Sequence, residues 1–228
     1  MLYSVSGYFA ESNHQGSLCM KIKIIAVTVA TLLLGIPAAQ AENFYVLGSI
    51  GQSKYQKYNS GDLAAAMVDL GATGVTASTD DSDTGYKLQL GYRFNEYFAV
   101  EGGYVSLGKA TGQSRFTQGS YNESFKADGI NVDAVGSFPL GAGFAIFGKL
   151  GAAYTTLKAD GSAIGAGVAG SASLKESKVN ATFGAGLNYD ITDAIAVRAE
   201  YERFKVGDSG DTGDGNIDLM SLGVAFKF

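Results

Sequence analysis

The chain has 228 residues, is 46% hydrophobic and only 17% charged, holds 32 glycines and 2 prolines, and carries a net charge of −5. That length allows one domain or at most two, and so much glycine argues against a mainly helical protein. With no basic patch along the sequence, a nucleic-acid partner is excluded.

The first element is the apolar run MKIKIIAVTVATLLLGIPAAQA, residues 20–41. Lys21 and Lys23 form a charged start, Ile24 to Leu34 an apolar middle, and Ala39-Gln40-Ala41 a small-residue cleavage site. These are the three parts of a secretory signal, and the run is too short and wrongly flanked for a stable anchor. We expect Met20 to be the true start, residues 1–19 to be an over-extended front end, and residues 42–228 to be the mature barrel domain. Cys19 and His14, the only cysteine and histidine, both precede the cut. The mature chain would then lack thiol and imidazole, which excludes nucleophile–histidine hydrolysis and His or Cys zinc sites. No catalytic residue, cofactor site or metal site is expected.

From residue 42 onward no stretch approaches the length of a membrane-spanning helix. The pattern is instead period two, as in strands with unlike faces. In NATFGAGLNYD (180–190), Ala181, Phe183, Ala185, Leu187 and Tyr189 alternate with polar or small residues; YKLQLGYRF (86–94) behaves likewise. Eight strands are predicted at 43–54, 84–94, 97–107, 128–139, 144–157, 177–190, 194–205 and 216–228. Each is near or above the ~9–11 residues of a tilted membrane-spanning strand. Short turns at 95–96, 140–143 and 191–193 alternate with long polar loops at 55–83, 108–127, 158–176 and 206–215. The expected fold is all-β: an eight-stranded antiparallel up-and-down transmembrane β-barrel of the outer-membrane kind.

On these strands the apolar face carries no charge, while the opposite face carries Lys87, Arg93, Glu101, Asp133, Lys149, Lys178, Arg198, Glu200, Glu202 and Lys227. Arg203 breaks the alternation, as a bulge or a residue above the membrane would. A soluble lipocalin-like barrel would place its apolar face inward. Two aromatic belts decide against it. Phe44, Phe94, Phe98, Phe138, Phe144, Tyr189 and Phe228 lie at the short-turn end, and Tyr86, Tyr104, Tyr154 and Tyr201 near the long-loop end, as two membrane interfaces select. The opposite face is rich in Gly, Ser and Ala, as a narrow interior requires.

The final strand, with Ser221, Gly223, Phe226 and Phe228, resembles the carboxy-terminal assembly signal of bacterial outer-membrane proteins. That likeness implies the barrel-assembly machinery as a partner. NFYVLGSIGQSKY (43–55), DTGYKLQLGYRFNEYFAVEGGYVSLG (83–108), FGKLGAAY (147–154) and AVRAEYERF (196–204) resemble the eight-stranded outer-membrane barrels of the OmpA type. The peptidoglycan-binding domain that follows the barrel in full-length OmpA proteins is not expected here, since the sequence stops at Phe228. Membership implies a salt-bridge cluster within the lumen, proposed in that family as a gate, and by motif Glu101, Lys149, Arg198 and Glu200 match it. Lys87 and Asp133, on the same face, complete the expected network. Such charges must pair, because an orphan buried charge costs several kcal/mol. A permanent plug that fixes register is the plainer reading, a conducting gate the other.

GAGVAG (165–170) fits the dinucleotide fingerprint by letter but lacks the flanking strand and helix. The acidic loops at 79–85 and 207–215 lack EF-hand spacing and read as solvated. DLAAAMVDLGATG (62–74) is expected to form a short helix starting near Ser60 or Asp62, with Leu63, Met67 and Leu70 on one side, folded over the barrel mouth. The expected role is structural: stabilising the envelope and displaying loops. A narrow or gated porin-like channel is the alternative, and a lipid-modifying enzyme is less favoured. Expected partners are outer-membrane lipopolysaccharide and phospholipid, with an extracellular ligand at the long loops left open.

Overall fold

The computed structural model describes residues 43–56, 58–165, 168–206 and 215–228. The expected leader, its cleavage site and most of the acidic stretch 207–215 lie outside these residues. The elements in chain order are β1 (Phe44–Tyr55), α1 (Ser60–Asp69), β2 (Thr76–Asp80), β3 (Ser82–Arg93), β4 (Phe98–Phe116), β5 (Gly119–Gly141), β6 (Phe144–Gly165), β7 (Val168–Asp190), β8 (Ile195–Lys205) and β9 (Asn216–Lys227).

Every pairing is antiparallel, and the order β4-β3-β1-β9-β8-β7-β6-β5 returns to β4. Eight strands therefore form a closed ring, which leaves the barrel no free edge in lipid. The stagger can be followed residue by residue. Tyr45 pairs with Gly91, Gly91 with Glu101, Glu101 with Asp133, and Asp133 with Gly151. Gly151 pairs with Thr182, Thr182 with Phe204, Phe204 with Ile217, and Ile217 with Tyr55. The path re-enters β1 ten residues above its start, so the strands are tilted and the bore is one that side chains fill. Two interior glycines serve that packing. A Cβ at Gly91 would overlap the Tyr45 ring, and one at Gly151 would overlap the Asp133 side chain.

The short turns carry their own chemistry. Ala142 (φ 52°) and Gly143 (φ 81°) occupy the centre of the β5–β6 hairpin, with Gly141 paired to Phe144. Two successive positive φ values are the signature of a type I′ turn, whose twist suits a hairpin. At the β3–β4 turn the Asn95 side chain accepts from the amides of Tyr97 (2.8 Å) and Phe98 (2.9 Å).

Three expectations need correction. There are nine strands, not eight; the additional one, β2, stands outside the ring and pairs with β4 from Thr76↔Arg115 to Asp80↔Thr111. The expected loops at 108–127 and 158–176 are largely strand, since β4, β5, β6 and β7 run on into long hairpins. Beyond the membrane both faces of a strand meet water, so the apolar alternation that marks a strand disappears while the backbone ladder persists. The helix begins at Ser60, as expected, and is capped by Asn59, whose side chain accepts from Asp62 N at 3.0 Å; the correction concerns Leu70. Leu63 and Met67 are buried, whereas Leu70 is 79% exposed at the helix end. The helix packs on β2 and on the upper part of β4, with Leu63 beside Gly112. Gly165 ends β6 and Val168, its pairing partner, opens β7, so GAGVAG runs into a strand and not into the helix a dinucleotide site needs.

The orientation of the faces is as expected. Leu150 is 68% exposed, Leu222 68%, Phe98 62% and Phe138 61%, whereas Lys149 and Arg198 are about 5% exposed or less. Arg203 lies on the outer face of β8 without disturbing the register, in a bidentate pair with Asp218 (2.6 and 2.7 Å).

Candidate functional site

The interior is stacked in three layers. At the short-turn end Tyr45, Leu47, Ala99, Val135, Phe147, Ala196 and Ala225 form an apolar layer. At the opposite end lies a second one, built on Val105, Leu107, Phe204, Ile217 and Leu219 and extended upward by Tyr58 and Phe125. Between them sits the charge network.

Lys149 is its centre. Its Nζ lies 2.6 Å from Glu200, 2.9 Å from Glu202 and 3.4 Å from Asp133. Lys87 bridges the same two glutamates, at 2.9 Å to Glu200 and 2.6 Å to Glu202. Asp133 is held by hydrogen bonds from Thr182 Oγ1 (2.6 Å) and Asn131 Nδ2 (2.5 Å). Nearer the short turns, Arg198 Nη1 contacts Glu101 Oε1 at 2.6 Å, and the Tyr45 hydroxyl donates to the same oxygen at 2.5 Å. Arg198 Nε donates to Asn188 at 2.8 Å, and its guanidinium lies 4.5 Å from the Phe147 ring centre. The network thus satisfies its charges chiefly from within, as burial demands.

All six residues predicted for the network, Glu101, Lys149, Arg198, Glu200, Lys87 and Asp133, come together here. Glu202 is the member that prediction left out. Its position two residues beyond Glu200 on one strand face was the available signal. Of the other charges on that face, Arg93 and Lys227 stand at strand ends, and Lys178 lies within β7 beyond the stretch paired to β8; Lys178 pairs with Glu176 (2.9 Å) and Lys227 with Asp190 (2.8 Å). The apolar layers were not anticipated, because an interior leucine or phenylalanine breaks the two-faced pattern on which the strands were read.

Above the second layer, Tyr58 donates to Glu123 at 2.8 Å and packs edge-on against Phe125 at 5.4 Å. Burial, with the Glu123 carboxylate beside it, pushes the Tyr58 phenol well above the ordinary tyrosine range. In the last strand Ser221 and Gly223 face inward, while Phe226 and Phe228 are about half exposed on the outer face.

A family model described as the OmpA-like transmembrane domain matches residues 39–228. The chain belongs to the OmpA-like transmembrane domain family. It is 29% identical to outer membrane protein A of Shigella flexneri over 216 residues, covering 91% of this chain and 56% of that protein. Against outer membrane protein A of Klebsiella pneumoniae it is 28% identical over 194 residues, covering 84% and 53%. This OmpA-like chain therefore spans about half the length of those relatives. Among solved structures it is similar to the outer membrane protein OprG of Pseudomonas aeruginosa (14% identity, TM-score 0.46, covering 83% of this chain and 98% of that one). It is also similar to the attachment invasion locus protein Ail of Yersinia pestis (20% identity, TM-score 0.44, covering 82% and 99%). The OmpA-like chain is an outer-membrane β-barrel protein, placed in lipid by its outward apolar band.

Proposed function

We propose that this OmpA-like barrel is a structural outer-membrane protein: a filled cylinder that anchors in the bilayer and displays the protruding hairpins and helix α1. One observation carries the reading. Seven charged side chains, each 5% exposed or less, pair with one another between two apolar layers. An ion entering the bore would have to shed water against leucine and phenylalanine before it met a charge. A plug of this kind favours rigidity over conduction. Electrical recording in planar bilayers tests it: the wild-type protein should give rare openings or none, and frequent, reproducible openings would support the channel reading instead.

The gated-channel alternative draws on one feature. Lys149 faces three carboxylates within 3.4 Å, so partners can be exchanged without stranding the cation. A non-enzymatic role is part of the proposal; incubation with lipopolysaccharide and phospholipid followed by mass spectrometry should return both unmodified. We further propose that the β9 pattern of Ser221, Gly223, Phe226 and Phe228 is read by the barrel-assembly machinery. Its outward aromatics and its pairing with both β1 and β8 support that role.

A further inference from the structure

The outer surface of the protruding β4–β7 sheet holds a pattern created by register. Tyr104, Ile130, Tyr154 and Val179 lie side by side across the four strands and form the upper apolar belt. Four residues further along β5, β6 and β7, and five along the bulged β4, lies a second row: Lys109 pairs with Lys126, Lys126 with Lys158, and Lys158 with Lys175. Directly paired residues share a face, and all four lysines are exposed. A β-bulge between Ser106 and Lys109, where Gly108 takes φ 68°, brings Lys109 into line. Bulges commonly re-aim a side chain in this way.

Like charges directly opposite one another destabilise a sheet, and here they recur across three consecutive strand pairs. Among the described residues no carboxylate forms an ion pair with any of the four. On the same face Asp128 lies one row below, and Asp160 and Asp80 one row above; beside the row Asp83 Oδ2 accepts from Lys109 N at 2.8 Å, and none of these four carboxylates comes within ion-pairing distance of a lysine ammonium. With strands about 4.8 Å apart, the four ammonium groups form a strip about 15 Å wide. The strip lies about 13 Å along the strands beyond Tyr154, at the headgroup level of the leaflet facing the long hairpins. Beyond it the same face carries the hydroxyl and amide groups of Ser124, Asn122, Ser162, Ser171 and Ser173, which with the Asp160 carboxylate line a shallow groove.

We propose that Lys109, Lys126, Lys158 and Lys175 form a phosphate-binding strip for the phosphorylated disaccharide of lipopolysaccharide, with the hydroxyl-lined groove above it meeting the sugars. The sugar-ready surface beyond the lysines is what favours lipopolysaccharide over a phospholipid headgroup. The inference rests on the outer-membrane placement described above.

The test titrates the folded protein in detergent with three probes: bis-phosphorylated lipid A, a phosphate-free lipid A analogue, and phosphatidylglycerol, read by native mass spectrometry. Wild type should bind bis-phosphorylated lipid A at least tenfold more tightly than either other probe. The variant K109Q/K126Q/K158Q/K175Q should lose at least tenfold, the corresponding four Lys→Arg changes should stay within threefold of wild type, and Lys54→Gln should behave as wild type. The doubles K109Q/K126Q and K158Q/K175Q should each lose threefold or more, so a folding failure of the quadruple variant does not end the test. Equal binding by the glutamine variants, or equal affinity for the phosphate-free analogue or for phosphatidylglycerol, overturns the assignment. A wild-type protein that migrates identically boiled and unboiled would sink the barrel reading itself, a separate result.

Discussion

Replacing Lys149 by Met is the sharpest probe of the interior. The substitution keeps most of the side-chain volume, so its effect is electrostatic. Lys149 contacts Glu200, Glu202 and Asp133 within 3.4 Å, at the centre of a network of three cations and four carboxylates. Without it, Glu200 and Glu202 share Lys87 alone, and Asp133 keeps only its hydrogen bonds from Thr182 and Asn131. Removing one partner of a buried pair typically costs about 3–5 kcal/mol, because the charge left behind has lost its water. We expect K149M to lie in that range by urea titration in lipid vesicles, followed by the fast-migrating unboiled band and by far-ultraviolet circular dichroism. Adding Glu202→Gln removes one of the stranded charges and should recover at least about 1 kcal/mol as coupling energy. Lys178→Met, which breaks an exposed pair, should change stability by less than about 1 kcal/mol. A K149M protein within 1 kcal/mol of wild type would refute the premise that these charges are desolvated and mutually dependent.

Four further outcomes follow from the same structure. Leu150→Arg, on the lipid-facing surface between the two belts, should cost about 2–4 kcal/mol, whereas Leu174→Arg, 72% exposed on the protruding hairpin, should be near neutral in the same titration. Phe204→Ala together with Leu219→Ala should raise the frequency of openings in planar bilayers more than Glu101→Gln does, because the upper apolar layer remains in the latter. Asn59→Ala removes the cap of α1, worth about 1 kcal/mol, and should speed proteolytic cleavage between residues 56 and 75 while leaving the gel shift of the barrel intact. Deleting Phe228 should slow assembly in cells without changing the stability of barrel that does form; an unchanged assembly rate in pulse-chase would count against the β9 assignment.

The amino-acid sequence by itself determined which face of each strand meets lipid. Period-two alternation needs no partner to be read, and a charge on the wrong face is too costly to persist. Glu101, Asp133, Lys149, Arg198 and Glu200 could therefore be assigned to the interior from their position along each strand. The height of each residue was decided only by the tertiary structure. Alternation says in or out; the turns, the bulge at Gly108 and closure at a ten-residue stagger say what lies beside what. That is why Glu101 meets Arg198 across 97 positions of sequence, and why four lysines scattered over four strands stand in one row. The protruding hairpins escaped the sequence reading for the complementary reason: outside the bilayer both faces touch water, so hydrogen bonding between backbones maintains the strands where no hydrophobic pattern announces them.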